Sequence, residues 1–318
     1  MKRLTAYYFM GQDLCIVRRH IREDMEWMRD AGTDSVAIGI HEFQLGGQSM
    51  MALDMIFAEA DRVGMTVHAI PSRWGGLVAG WPTAAGSFSA THSEAWMIGA
   101  DGKPVFSGVC SGHICSIYHP ATRQFFEDTI DSMLDTYPVS GIIWDELKVL
   151  ESEDHSPAAV EALGGPSKGE DQRRKTVEFF GEATRHAKAR KSDLVISCFV
   201  YAQLSDEIFK VCATIDGLDY FGIDGRCFPE AEHTCAKVLP GNIERAASAC
   251  AEAGTGVMAL VETQHASEAE IDKTLKHLPA FLEGPVDHLM YYYHGVSLDD
   301  MDRLMAGMKP LLSGWRGQ

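Results

Sequence analysis

Several acids stand where short apolar runs stop. Asp145 and Glu146 close the run GIIWDE, Glu262 closes MALVET, Asp224 closes FGIDG and Glu42 closes GIHE. Histidines hold similar places, with His41 beside Glu42 and His294 after YYY. Arg73 and Trp74 follow one run, and Tyr201 ends another. Carboxylates brought to one rim repel each other, and desolvation also opposes their charge. Such a cost is more readily kept where a site uses it. Two carboxylates facing each other across a sugar could cleave a glycosidic bond. One protonates the leaving oxygen, and the other attacks the anomeric carbon or activates water. A separation of about 5–5.5 Å gives retention and about 6.5–9.5 Å inversion.

The elements that must position these residues are short, near-continuously apolar runs, as expected of parallel strands covered by helices. They are residues 4–11, 35–42, 66–72, 141–146, 193–201, 218–225, 256–263 and 288–295. Helical patterns alternate with them. The spacing predicts helices over 22–31, 51–63, from Pro120 onward, and over 172–188, 206–212, 242–253, 267–282 and 297–311. Pro120 suits a first-turn position. Gly32, Gly64 and Gly254 suit left-handed caps. Eight βα units predict an α/β fold, a single (β/α)8 TIM barrel over residues 1–318. A doubly wound sheet would call for a glycine-rich phosphate loop, which is missing. The long stretches 73–118 and 149–170 are read as loop insertions after the third and fourth strands. They fall on the side where barrels place active sites.

Composition agrees with a water-soluble enzyme. Of 318 residues, 46% are apolar and 23% charged, and 28 basic residues against 45 acids leave a formal charge of −17. That charge opposes nucleic acid and anionic membrane as partners. No apolar run reaches the ~20 residues of a membrane span. The start, MKRLTAYYFMGQD, reads as a first strand rather than a leader, which places the chain in the cytoplasm. A homo-oligomer is allowed. No cofactor is called for. The eight cysteines form no CxxC pair and read as buried thiols. Cys227, His233 and Cys235 lie close in sequence, but their spacing fits no standard zinc module.

With the acids and the (β/α)8 pattern in place, the chain resembles the (β/α)8-barrel glycoside hydrolases, especially the clan with catalytic glutamates at the ends of strands four and seven. In that clan strand four usually ends Asn-Glu. The resemblance implies Glu146 as acid/base and Glu262 as nucleophile. Asp145 departs from the usual Asn, which commonly holds the sugar 2-hydroxyl. The stretches AWMIGADGKPVFSGV and YHPATRQFFEDTIDSMLDTYPVSGIIWDE also resemble glycosidase-like barrel families of unassigned specificity. In some α-glycosidase barrels an Asp on strand four is nucleophile and an Asp on strand six acid/base, and Asp145 and Asp224 match that pattern.

The expected activity is retaining hydrolysis of a small oligosaccharide or glycoside. Asp145, Asp224, Glu42, His41, Arg73, Trp74, Tyr201 and His294 are the expected substrate contacts. Trp74, Trp81, Trp96 and Trp144 are the candidate stacking platform. Each has a plainer alternative. Asp145 or Glu146 can salt-bridge Lys148 or Arg73, Glu262 can cap a helix, His41 and His294 can be buried histidines, and Trp144 can be core. Two other classes compete: a metal-dependent sugar isomerase or epimerase using Asp224, Glu262, Glu146 and His294, and a non-catalytic sugar-binding barrel.

Overall fold

The computed structural model describes residues 2–8, 17–45, 51–81, 84–108, 112–229, 238–295 and 299–317. Eight parallel strands close into a barrel: β1 Arg3–Tyr7, β2 Ser35–His41, β3 Thr66–Ser72, β4 Gly141–Asp145, β5 Val195–Tyr201, β6 Tyr220–Gly225, β7 Gly256–Val261 and β8 His288–Tyr292. The order around the wall is sequential, and β1 closes on β8 from Arg3↔His288 to Tyr7↔Tyr292. The predicted strands are all present. Four of them end one to three residues earlier than their apolar runs, because the chain turns away at the rim, and three end where their runs do. Residues 9–11 of the first run lie outside the described residues.

Helices cover the wall. The largest are α1 Arg18–Asp30, α2 Met51–Arg62, α4 Pro120–Thr136, α6 Gly169–Arg190, α8 Asn242–Ala253, α9 Glu268–Phe281 and α10 Met301–Arg316. The shorter ones are α3 Ser87–Thr91, α5 Pro157–Leu163 and α7 Asp206–Ala213. Helix α5 falls in what reads as loop. Its signal is local: Ser156 caps it by accepting from the Ala159 N–H, and Pro157 opens its first turn. Gly32, Gly64 and Gly254 all take positive φ after their helices, as expected.

Successive strand side chains alternate between the two faces of the wall. Leu4, Ala6, Tyr8, Ile142, Trp144, Tyr291 and Tyr293 join the layer between strands and helices. Tyr7, Ala37, Ile70, Ile143, Phe199, Met258, Leu260, Met290 and Tyr292 fill the barrel interior, with Trp81 packed against them. This parity answers why an apolar strand ends in acid. Asp145 is in phase with Ile143, so it points inward at the mouth. By the same count Asp224, Glu262 and Tyr292 point inward too.

The insertion after β3 folds back over the mouth. The Ala79 N–H donates to Asp145 O at 2.7 Å, and the Lys148 N–H to Leu77 O at 2.9 Å. A side chain at Gly39 would collide with the Trp81 carbonyl, 1.8 Å from where a Cβ would stand. Glycine at that place is what lets the Trp81 backbone settle onto β2. The two insertions also bind each other, through Tyr118 Oη and Ser167 Oγ at 2.5 Å and His155 N–H to Ile98 O at 2.7 Å.

Candidate active site

A cavity of ≈ 260 Å³ opens at the strand C-termini. It is lined by Tyr7, Arg73, Ala79, Gly80, Trp81, Asp145, Glu146, Glu262, Gln264, His265 and Tyr292. Two walls carry acid: β4 brings Asp145 and Glu146, and β7 brings Glu262. Strands β5 and β6 separate them on one side. The third wall is aromatic. Tyr7 and Tyr292 stack with ring centroids 5.1 Å apart, beside Trp81.

Asp145 is 5% exposed and accepts a long bond from the Tyr7 hydroxyl at 3.4 Å. Burial first, and then the Asp145 charge, hold the Tyr7 phenol well above its usual range. Burial does the same to Tyr292. Both phenols therefore keep their protons and serve as donors.

Glu146 takes part in the ion pair that the sequence left open. Lys148 Nζ lies 2.5 Å from its Oε2 and 2.5 Å from Tyr201 Oη, and the ammonium sits 4.6 Å from the Tyr201 ring centroid. Tyr201 thus meets the site at both Lys148 and Glu146. Burial, and next the Glu146 charge, push its phenol up. An acid must give up a proton, and a carboxylate paired with an ammonium has none to give.

Four non-glycine residues described here have positive φ: Arg73 (59°), Glu146 (47°), His265 (52°) and His294 (54°). Each stands one to four residues beyond the end of a barrel strand. The left-handed conformation costs an L-residue about 1–2 kcal/mol, and such strain clusters where geometry serves a site.

The remaining expected contacts divide. Arg73 lines the cavity. Asp224 is buried at the mouth, where its charge acts on Tyr201 and Tyr292, but it is not among the cavity-lining residues. Trp74 is wholly buried away from the cavity, with its indole N–H donating to Ile40 O at 2.9 Å and its ring against Phe125 and Phe126. Trp144 donates to Thr184 Oγ1 in the helix-facing core. Of the candidate tryptophans, Trp81 is the one found among the described cavity-lining residues. Glu42 turns to α3, where it accepts from the Phe88 N–H at 3.0 Å, and burial raises its carboxyl. His41 is buried against Ala84 O, and His294 contacts Met301 Sδ at 3.0 Å. Burial lowers the pKa of both.

Tyr7, Gln264 and His265 are cavity residues that the sequence reading misses. Tyr7 had a usable signal, since it pairs in register with Tyr292 and shares its inward parity. Gln264 and His265 lie past the end of β7, where no periodicity operates.

Among the described residues, no group of three or more His, Cys, Asp or Glu side chains is arranged to hold a metal ion. The five described cysteines are free and buried. Cys15, Cys110, His233 and Cys235 lie outside the described residues. No described helix is long and apolar enough to cross a membrane.

No protein-family model and no curated protein matches the sequence. Solved structures do match in fold. Over 98% of its length the chain superposes on 98% of the β-amylase catalytic domain of Paenibacillus polymyxa, at TM-score 0.65 and 8% identity. Over 100% it superposes on 96% of the endo-1,4-β-mannanase of Rhizomucor miehei, at TM-score 0.66 and 10% identity. Over 98% it superposes on 49% of α-L-fucosidase isoenzyme 2 of Paenibacillus thiaminolyticus, at TM-score 0.65 and 10% identity. At these identities the likeness is one of fold.

Proposed function

We propose that this barrel is a glycoside hydrolase acting with retention on a small oligosaccharide or glycoside in the cytoplasm. One observation carries the reading: carboxylates from β4 and β7 share one cavity with an aromatic wall. Acids cleave glycosidic bonds in pairs, and aromatic faces stack on sugar rings. The barrel neighbours carry the names of carbohydrate-acting enzymes, which agrees.

Glu146 and Glu262 are the proposed pair. The Lys148 contact argues for exchanging the roles that the family resemblance implies. Glu146, held as an anion by Lys148, attacks the anomeric carbon, while Glu262 gives its proton to the departing oxygen. Glu262 then takes a proton from water as the water displaces Glu146, so the enzyme returns unchanged. Tyr7, Tyr292 and Arg73 donate to sugar oxygens, Asp145 accepts a sugar hydroxyl, and Trp81 stacks on the ring.

The test is turnover of a panel of aryl glycosides and oligosaccharides by wild type, Glu146→Gln and Glu262→Gln, with and without EDTA. Activity that survives EDTA and collapses in both variants supports the pair, and product anomers then report retention or inversion. A second reading pairs Asp145 with Asp224, favoured by the depth of Asp145 and its Tyr7 contact. Turnover intact in both Glu variants and lost in Asp145→Asn selects it. Loss to EDTA selects a metal-dependent reaction instead.

A further inference from the structure

The β6–β7 ladder ends at the pair Gly225↔Val261. One residue further, the Glu262 N–H still donates to Gly225 O at 2.8 Å. Beyond that point the β7 chain has no strand to hold it, yet Glu262, Gln264 and His265 all line the cavity, and His265 stands at φ 52°. Arg226 replaces the missing ladder. Its Nη1 donates to Glu262 O at 2.9 Å, and its Nη2 donates to Gln264 O. One planar fork thus spans two alternate carbonyls, a geometry that lysine cannot reproduce.

The guanidinium is itself anchored. Arg226 is 4% exposed, and its Nε lies 3.9 Å from Oε1 of Glu270, which is wholly buried. The other oxygen of Glu270 accepts from the Ser267 N–H at 3.1 Å, in a capping box that opens α9. A continuous chain therefore runs from the first turn of α9 through Glu270 and Arg226 to the backbone that carries Glu262. Buried ion pairs contribute little net stability, so stability alone does not account for one directly behind the cavity.

We propose that Arg226 is a positioning residue: with Glu270 as its counter-charge, it fixes the backbone of residues 262–264 so that Glu262 faces the cavity at the required angle. This rests on the reading of Glu262 as a reacting carboxylate. The clamp acts on orientation, so its loss lowers kcat and leaves KM nearly unchanged.

The deciding variant is Arg226→Met combined with Glu270→Gln. It removes both buried charges together, and glutamine keeps the capping box, so the protein folds. Two quantities are read: hydrogen exchange of the 262–266 backbone, and kcat with KM on a substrate that wild type turns over. Expected are exchange at least tenfold faster and confined to that segment, kcat reduced about 30- to 100-fold, and KM within threefold. Arg226→Lys, which reaches one carbonyl, should fall between. Unchanged exchange in the folded double variant overturns the proposal, and so does faster exchange with wild-type kcat. Wild-type kcat in Glu262→Gln overturns the assignment of Glu262 instead, and the exchange measurement still reads the clamp.

Discussion

Lys148 Nζ sits 2.5 Å from Glu146 Oε2, with the two side chains only 8% and 12% exposed. Shielded from water, the pair is costly to break from one side. Lys148→Met strands the Glu146 charge. It should lower stability by about 3–5 kcal/mol, with the denaturation midpoint falling accordingly. The double variant Lys148→Met with Glu146→Gln should recover most of that loss. Calorimetry of the single and double variants measures it, and equal midpoints for wild type and Lys148→Met would show that the pair is not buried in solution.

Glu262 contacts the cavity while its backbone is held by Gly225 and Arg226. Glu262→Gln keeps size and shape, so the melting temperature should stay within about 2 °C for a change worth less than ~1 kcal/mol. Turnover should drop about 10²- to 10⁴-fold, the usual contribution of a positioned proton donor. Steady-state kinetics on the best panel substrate checks both halves.

Trp81 offers the one indole among the described cavity-lining residues. Trp81→Ala should weaken substrate binding by about 0.5–1.5 kcal/mol, seen as a KM raised roughly two- to tenfold. Trp74→Ala empties a core site and should cost about 3–5 kcal/mol of stability. Parallel melting curves and KM values would separate the roles, and the reverse pattern would return Trp74 to the site.

Two histidines lie at the floor of the barrel. His68 is held at about 4 by burial, and His288 is also lowered well below its usual value by burial. A depressed histidine pKa favours the neutral form in the folded state, while the unfolded chain protonates near 6.5. Stability is therefore full above pH 6.5 and is lost as pH falls toward 4. His68 contributes about 1.4 kcal/mol per pH unit across that window, and His288 acts in the same direction. Urea midpoints at pH 7.5, 6 and 5 should show the decline, and His68→Gln should show a shallower one.

Glu59 loses stability in the same direction for the opposite reason, because its folded form is the charged one. Its wholly buried side chain accepts from Arg22, Arg18 and Arg62, chiefly Arg22, and its carboxyl falls to about 2. Its contribution is present above about pH 4.5 and is lost as pH falls toward 2. Glu59→Gln should cost about 2 kcal/mol at neutral pH and nothing near pH 2. Thermal melts at pH 7 and pH 2 decide it.

The alternation of apolar runs and amphipathic stretches made all eight barrel strands readable, because each signal repeats within a few residues. It also put Asp145, Glu146 and Glu262 at the correct rim, since a strand's C-terminal end is visible in its own sequence. Trp74 and Trp81 show where that information stops. They are seven residues apart in one irregular segment, with no periodicity to say which turns inward. Their fates depend on Ile40 and Gly39 of another strand, which one accepts the Trp74 N–H and the other makes room for the Trp81 carbonyl.

The sequence by itself determined the barrel, its strand order and the end where acid collects, because those follow from local periodicity and chain order. The tertiary structure alone decided what each acid touches. Lys148 joins Glu146 to a tyrosine 53 residues further on, and Arg226 reaches a carbonyl 36 residues away. Such contacts depend on the twist and closure of the whole wall and on loops folding across it. Charge pairing acts through space, and sequence distance carries no record of it.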